Sequence, residues 1–202
     1  LGGKFTGLII PNVFGPFCKP NYNSFIATFC SKILNNEVSE VIQDANVPLL
    51  YVGNLVEQIL EVIREPKNSL IQIQPDLEVK VTEVLDILNS FKVSYIDSNT
   101  IPSLQTHFEL QLFNTFRSYI DLNKTYPIAL NKHTDERGFF SEIIKTDSGG
   151  QFSYSTTLSN ITRGNHFHTR KIERFVVIQG EAKISLRKIG SKKVYDFLLD
   201  GE

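Results

Sequence analysis

The sequence predicts an α/β region followed by an all-β region, with the change of texture near residue 125. Three observations carry this expectation. Before that point, short apolar runs of strand length alternate with stretches whose apolar residues recur every three or four positions, which is the pattern of strands alternating with helices. The polar stretch D-L-N-K-T-Y-P at 121–127 then reads as a linker. Beyond it, strand-like segments follow one another across short polar turns, an all-β pattern. The expected division is 1–125 and 126–202.

Residues 4–10 end in an apolar β-run, and P-N-V-F-G-P at 11–16 is dense enough in Pro and Gly to mark a loop leaving a strand. That loop continues through C-K-P-N-Y-N at 18–23, and Asn23 or Ser24 is a good N-cap for the helix that follows. Ile26, Phe29, Cys30 and Ile33 share one face of that helix, so Cys30 reads as a small core residue. Residues 47–52 form a short strand, and Asn54 caps a second helix, 55–64, with Leu55, Ile59 and Ile63 on its buried stripe and Pro66 as its stop. Residues 69–73 and 78–81 are extended. Thr82 caps a helix reaching Phe91, with Val84, Leu85, Leu88 and Phe91 inward. Ser103 caps another over 104–120, with Phe108, Leu112, Phe116 and Tyr119 at helical spacing and His107 off that stripe, in solvent. In the second region the expected strands are 139–145, 152–158, 174–179, 182–188 and 194–199, with His133 in a loop.

The formal net charge of −1 over 202 residues gives no broad attraction to nucleic acid or anionic lipid. Residues 1–125 carry 9 basic and 13 acidic side chains, whereas 126–202 carry 12 and 9, a mildly basic balance that suits a phosphate-bearing ligand. Two cysteines, Cys18 and Cys30, make no disulfide framework. No apolar run is long enough for a membrane span and none resembles a signal peptide, so the expected location is the cytoplasm. The chain has no methionine and opens on Leu1 inside what reads as a strand, so it is expected to be a fragment at its N-terminus.

The most chemically pointed stretch is N-H-F-H-T-R-K-I-E-R-F-V-V-I-Q-G at 165–180. His166 and His168 are two apart, which on a strand sends both imidazoles to one side. Four residues separate His168 from Glu173. The apolar run 175–178 reads as a buried strand and Gly180 as the turn that ends it. Two imidazoles and a carboxylate suit Zn²⁺ or another divalent first-row metal, which needs a fourth ligand or an open water position.

The pattern H-x-H-x4-E-x6-G resembles the first half-motif of the cupin superfamily, a β-barrel that holds its metal inside. That family's second half-motif supplies one more histidine, and this chain has none after His168. The resemblance therefore implies a partial barrel lacking its fourth ligand. In the first region, P-N-V-F-G-P resembles the N-V-Y-G-P segment of extended short-chain dehydrogenase/reductases, which touches a nucleotide-sugar. That family usually has V-D-D where this chain has Val52-Gly53-Asn54. Together with C-K-P-N-Y-N-S, D-E-R-G-F-F-S-E at 135–142 and G-N-H-F-H at 164–168, the pattern resembles the bifunctional capsular-polysaccharide enzymes of the CapF type, in which such a reductase is joined to a C-terminal cupin.

This resemblance implies the C-terminal, substrate-binding half of a Rossmann-type reductase domain at 1–125 and the N-terminal part of a cupin at 126–202. It implies a cupin part that epimerises C3 of a UDP-4-keto-6-deoxy-N-acetylhexosamine. It also implies a reductase part that reduces C4 with NADPH, towards UDP-N-acetyl-L-fucosamine. The implied metal is zinc on His166, His168 and Glu173. Arg137 resembles an arginine that lies near the substrate, and equally reads as an ion pair with Asp135 or Glu142. Lys145 is a candidate acid/base or substrate contact, or a solvated strand lysine. Asn12, Phe14, Lys19, Asn21, Tyr22 and Asn23 are the implied contacts to the UDP-sugar. Gly2, Gly3 and Gly7 do not form the glycine-rich turn that NADPH needs; that turn and the Tyr-x-x-x-Lys pair are expected upstream of Leu1. Cupin barrels commonly pair through their sheets, so a homodimer is expected. The alternatives are a non-catalytic sugar-nucleotide-binding or dimer-forming remnant, and a metal cupin for another substrate.

Overall fold

The computed structural model describes residues 3–201, and the expectation that Leu1 stands inside a strand lies outside them. The chain forms two compact units, Leu1–Ser159 and Asn160–Glu202.

In the first unit, strand β1 (Thr6–Ile9) leads into β2 (Asn12–Phe14). The Pro- and Gly-rich segment is thus not all loop, because residues 12–14 run parallel to the next strand and lend it their backbone groups. Helix α1 (Phe25–Leu34) starts at Ser24, whose hydroxyl accepts from the Ala27 amide, and buries Ile26, Ala27, Phe29, Cys30 and Ile33, as the period predicts. Strand β3 (Asn46–Tyr51) runs straight into α2 (Val52–Arg64). This helix begins at Val52 rather than after Asn54, and none of its residues is buried. Ile63 is 65 % exposed, so the expected buried stripe does not form among the described residues.

Strand β4 (Ser69–Gln72) pairs parallel with β1. Strand β5 (Leu77–Lys80) pairs antiparallel with β3, giving the order β2-β3-β5. Helix α3 (Val81–Phe91) buries Val84, Leu88 and Phe91, and a short π-helical turn, Lys92–Asp97, extends it. The two-residue strand β6 (Thr100–Ile101) precedes α4 (His107–Arg117). Helix α4 starts at Thr106, not Ser103, because Thr106 and Glu109 cap each other's backbone in a capping box. A single turn, α5 (Leu122–Thr125), lies within the expected linker.

Helices α1, α3 and α4 close one core with β2, β3 and β5: Phe14, Ile26, Phe29, Cys30, Leu49, Val84, Leu88, Leu112 and Phe116 belong to one buried cluster. Each such fully buried large side chain contributes about 1.5–3 kcal/mol. Phe91 lies between Phe113 and Phe116, with ring centroids 5.0 and 6.0 Å away, in the tilted geometry aromatic pairs favour.

The remaining strands of this unit are β7 (Lys132–Asp135), β8 (Gly138–Thr146) and β9 (Gln151–Ser155). His133 therefore sits on a strand, opposite Phe140, rather than in a loop. Strands β7 and β9 pair antiparallel with β8, and β6 pairs parallel with it through Thr100 and Ile101. A residue pair from the helical part thus belongs to the same sheet as the 132–155 strands, although the texture changes near residue 125.

In the second unit, β10 (Gly180–Arg187) and β11 (Val194–Gly201) form an antiparallel hairpin. Gly180 opens β10 with φ +81°, a conformation that favours glycine, instead of closing a strand before it. Residues 174–179 form no strand, and Phe175, Val176 and Ile178 are 58, 75 and 64 % exposed. The expected buried strand is corrected accordingly: the apolar run finds no ladder partner among the described residues. No sheet closes into a barrel among them. No described helix is long and apolar enough to cross a membrane.

Candidate metal centre

His166, His168 and Glu173 come together, with their ligand atoms all within 4.8 Å of one another. The cause differs from the expected one. The segment is irregular, and a bend at Thr169–Arg170 turns the chain so that Glu173 returns to His168. The two imidazole rings meet edge to face, centroids 4.8 Å apart at 71°. His168 Nε2 lies 3.4 Å from Oε1 of Glu173. Ligands at about 2.0–2.2 Å from a tetrahedral zinc are separated by roughly 3.3–3.6 Å, so this edge already has the required length. The remaining separations are no more than 4.8 Å. The donor types and their spacing fit a divalent metal, with positions left for further ligands or water.

Lys171 was not singled out by the sequence motif. Its Nζ lies 2.9 Å from Oε1 of Glu173. Its place two residues before Glu173, a cation close in sequence to a carboxylate, is the signal that could have found it. The hydrogen bond from Lys171 holds the Glu173 carboxyl below its ordinary range, and the charges of Lys171, His168 and His166 act in the same direction. That direction favours the ionised carboxylate, the form in which such a group can bind a metal.

Arg137 pairs with Asp135: Nη2 and Nε lie 2.6 and 2.9 Å from Oδ2, and the Arg137 amide donates to Oδ1 at 2.8 Å. Asp135 raises the guanidinium's proton affinity further. Glu142 instead accepts from Gln151 Nε2 at 2.9 Å. Lys145 is exposed on β8, opposite Gln151.

The first-region candidates divide into two groups. Phe14 is 2 % exposed, with its ring against Tyr51 and Phe108, so its side chain belongs to the core. Asn12, Lys19, Asn21, Tyr22 and Asn23 are exposed. The 17–23 loop is pinned to the end of α4, where Ser118 Oγ accepts from the Phe17 amide at 3.2 Å and the Tyr119 hydroxyl donates to the Cys18 carbonyl at 2.6 Å. Asn21 takes φ +55° and donates its amide to Thr28 Oγ1. At Val52-Gly53-Asn54, a carboxylate comes from elsewhere: Asp76 accepts from the Tyr51 amide at 2.8 Å and from Asn54 Nδ2 at 2.9 Å, tying the start of α2 to the segment before β5.

Residues 133–202 match the Polysaccharide biosynthesis C-terminal domain. A UDP-2-acetamido-2,6-beta-L-arabino-hexul-4-ose reductase of Pseudomonas aeruginosa is 32 % identical over 196 residues, covering 96 % of this chain and 52 % of that protein. The crystal structure of the capsular polysaccharide assembling protein CapF from Staphylococcus aureus superposes with a TM-score of 0.80 at 35 % identity, over 96 % of this chain and 53 % of that one. A CapF structure with the inhibitor 3-isopropenyl-tropolone gives 0.81 at 35 % identity, over 96 % and 57 %. The chain is a homologue of these polysaccharide-biosynthesis proteins. It spans about half the length of the relatives it matches.

Proposed function

We propose that this chain is part of a UDP-sugar-modifying enzyme of polysaccharide biosynthesis, with reductase-derived residues at 1–125 and cupin-derived residues at 126–202. In this reading the cupin part epimerises C3 of a UDP-4-keto-6-deoxy-N-acetylhexosamine. The reductase part, completed by residues this sequence does not contain, reduces C4 with NADPH towards UDP-N-acetyl-L-fucosamine. The observation that carries it is the convergence of His166, His168 and Glu173 inside the segment that matches a polysaccharide-biosynthesis domain.

The chemistry asks for specific groups. A proton α to a ketone is removed only with a positioned base and stabilisation of the enolate oxygen. His166, His168 and Glu173 would hold a divalent metal, zinc by their donor set, and when bound it supplies Lewis acidity towards a ketone oxygen. Arg137 offers a planar fork suited to a diphosphate, and it meets that ligand by exchanging Asp135 for it. Lys145 stands as the acid/base or substrate-contact candidate on the neighbouring strand. Asn12, Lys19, Asn21, Tyr22 and Asn23 offer amides, an ammonium and a ring to the sugar-nucleotide, with Phe14 supporting the loop from beneath. A homodimer in the cytoplasm completes the reading.

The test is zinc analysis of the purified chain together with proton exchange at C3 of the UDP-4-keto sugar in D₂O, followed by NMR. The expected result is about one zinc per chain by the ligand count of such a site, loss of C3 proton signal, and loss of both in a His166→Ala/His168→Ala variant. Absence of metal and of exchange in a folded chain would overturn the reading.

A further inference from the structure

We propose that Lys171 is a resident counter-cation of the candidate metal centre: it holds Glu173 in the metal-free chain, yields it when a divalent ion binds, and so sets the affinity of the centre. This rests on the reading of His166, His168 and Glu173 as a metal centre.

The geometry is a single oxygen facing two groups. Oε1 of Glu173 lies 2.9 Å from Lys171 Nζ and 3.4 Å from His168 Nε2. A protonated lysine has three N–H donors and no lone pair, so it is a partner for the carboxylate but not a ligand for a metal. A carboxylate oxygen has more than one lone pair, so a dication on Oε1 competes with the ammonium for the same negative charge and then stands beside a like charge.

Two effects oppose each other. The ammonium keeps the carboxylate near His168, which favours metal capture. It also competes for the oxygen and repels the incoming ion. The first is weak here, because the two side chains are 56 and 28 % exposed and exposed ion pairs impose little order. The second grows with the product of the charges, which a divalent ion doubles. Competition therefore wins, and removing the ammonium tightens metal binding.

The experiment is a Zn²⁺ titration of the 202-residue chain against a chromophoric chelator at fixed pH, for the unaltered chain, Lys171→Gln, Lys171→Arg and His166→Ala/His168→Ala. Lys171→Gln is expected to bind zinc about tenfold tighter by the Coulombic argument. Lys171→Arg is expected to stay near the unaltered chain, and the gap between Gln and Lys narrows as salt is raised. If Lys171→Gln binds equally or more weakly while the double histidine variant loses zinc, Lys171 is no counter-cation and the metal centre stands. If neither the unaltered chain nor Lys171→Gln takes zinc, the metal reading fails and this proposal fails with it.

Discussion

The two compact units place apolar side chains in opposite ways. Within residues 3–159, α1, α3 and α4 enclose a cluster in which Leu88, Leu112 and Phe116 are fully buried. Within 160–201 no described residue is buried, and Phe175, Val176, Ile178 and Leu198 all stand more than half exposed. The candidate metal ligands belong to this second unit. Side chains of the core are positioned by close packing, which fixes them to within tenths of an ångström. His166, His168 and Glu173 are positioned by a bend and an ion pair, which a change of salt or the arrival of a metal can rearrange. Stability and the candidate chemistry therefore answer to different forces in this chain.

The contrast breaks first if the core is not where the stability resides. Phe116→Ala removes a fully buried ring that lies against Phe91 and is expected to cost about 3–5 kcal/mol. Such a loss is a large share of the stability of any domain this size. Urea unfolding followed by far-ultraviolet circular dichroism measures it. A loss below about 1 kcal/mol, ordinary for a surface change, would mean that the helical cluster does not hold the first unit together.

A second comparison sharpens the other side. If the ligand segment is ordered by metal rather than by packing, zinc at a hundred times its dissociation constant slows amide exchange around 163–175 by about a hundredfold, the linkage factor for binding to the folded form alone. Exchange in α3 and α4 is expected to stay unchanged in the same sample. Uniform protection across both units would show that the two are not independent in this respect. Of smaller size is the effect of the capping box at the start of α4. Thr106→Ala deletes the hydroxyl that accepts from the Glu109 amide at 3.1 Å and is expected to cost about 1 kcal/mol, read from the same urea titration.

How much of this was legible in the sequence depends on the range of the signal. The buried faces of α1, α3 and α4 follow from apolar spacing within single helices, so Ile26, Val84 and Leu112 could be assigned inward. The start of α2 could not, because the carboxylate that holds Tyr51 and Asn54 there is Asp76, 22 residues beyond Asn54. Strand β6 has two residues, too few for any period to show. The start of α4 was present in the sequence as T-H-F-E at 106–109, a capping box that lost to the earlier Ser103. At the candidate site, spacing selected three donors that the fold does bring together, but through another geometry: a strand pleat was expected, and the segment bends at 169–170 instead. Lys171 was missed because a ligand motif counts donors of lone pairs and ignores the cation that neutralises them.

The apolar run 175–178 is the place where sequence pattern and structure differ most, and the smallest expected effect tests it. Four consecutive apolar residues, F-V-V-I, are the usual mark of a strand buried on both faces. Burial, however, is a property of what covers a run, and among the described residues nothing pairs with this one. Phe175→Ser in this chain is therefore expected to change stability by less than about 0.5 kcal/mol, as surface substitutions do. It is also expected to leave zinc binding at residues 166–173 intact. A cost of about 3 kcal/mol or more, typical of a lost core phenylalanine, would place Phe175 inside a core. The second unit would then be organised by packing like the first, and the ligands beside it would inherit that rigidity.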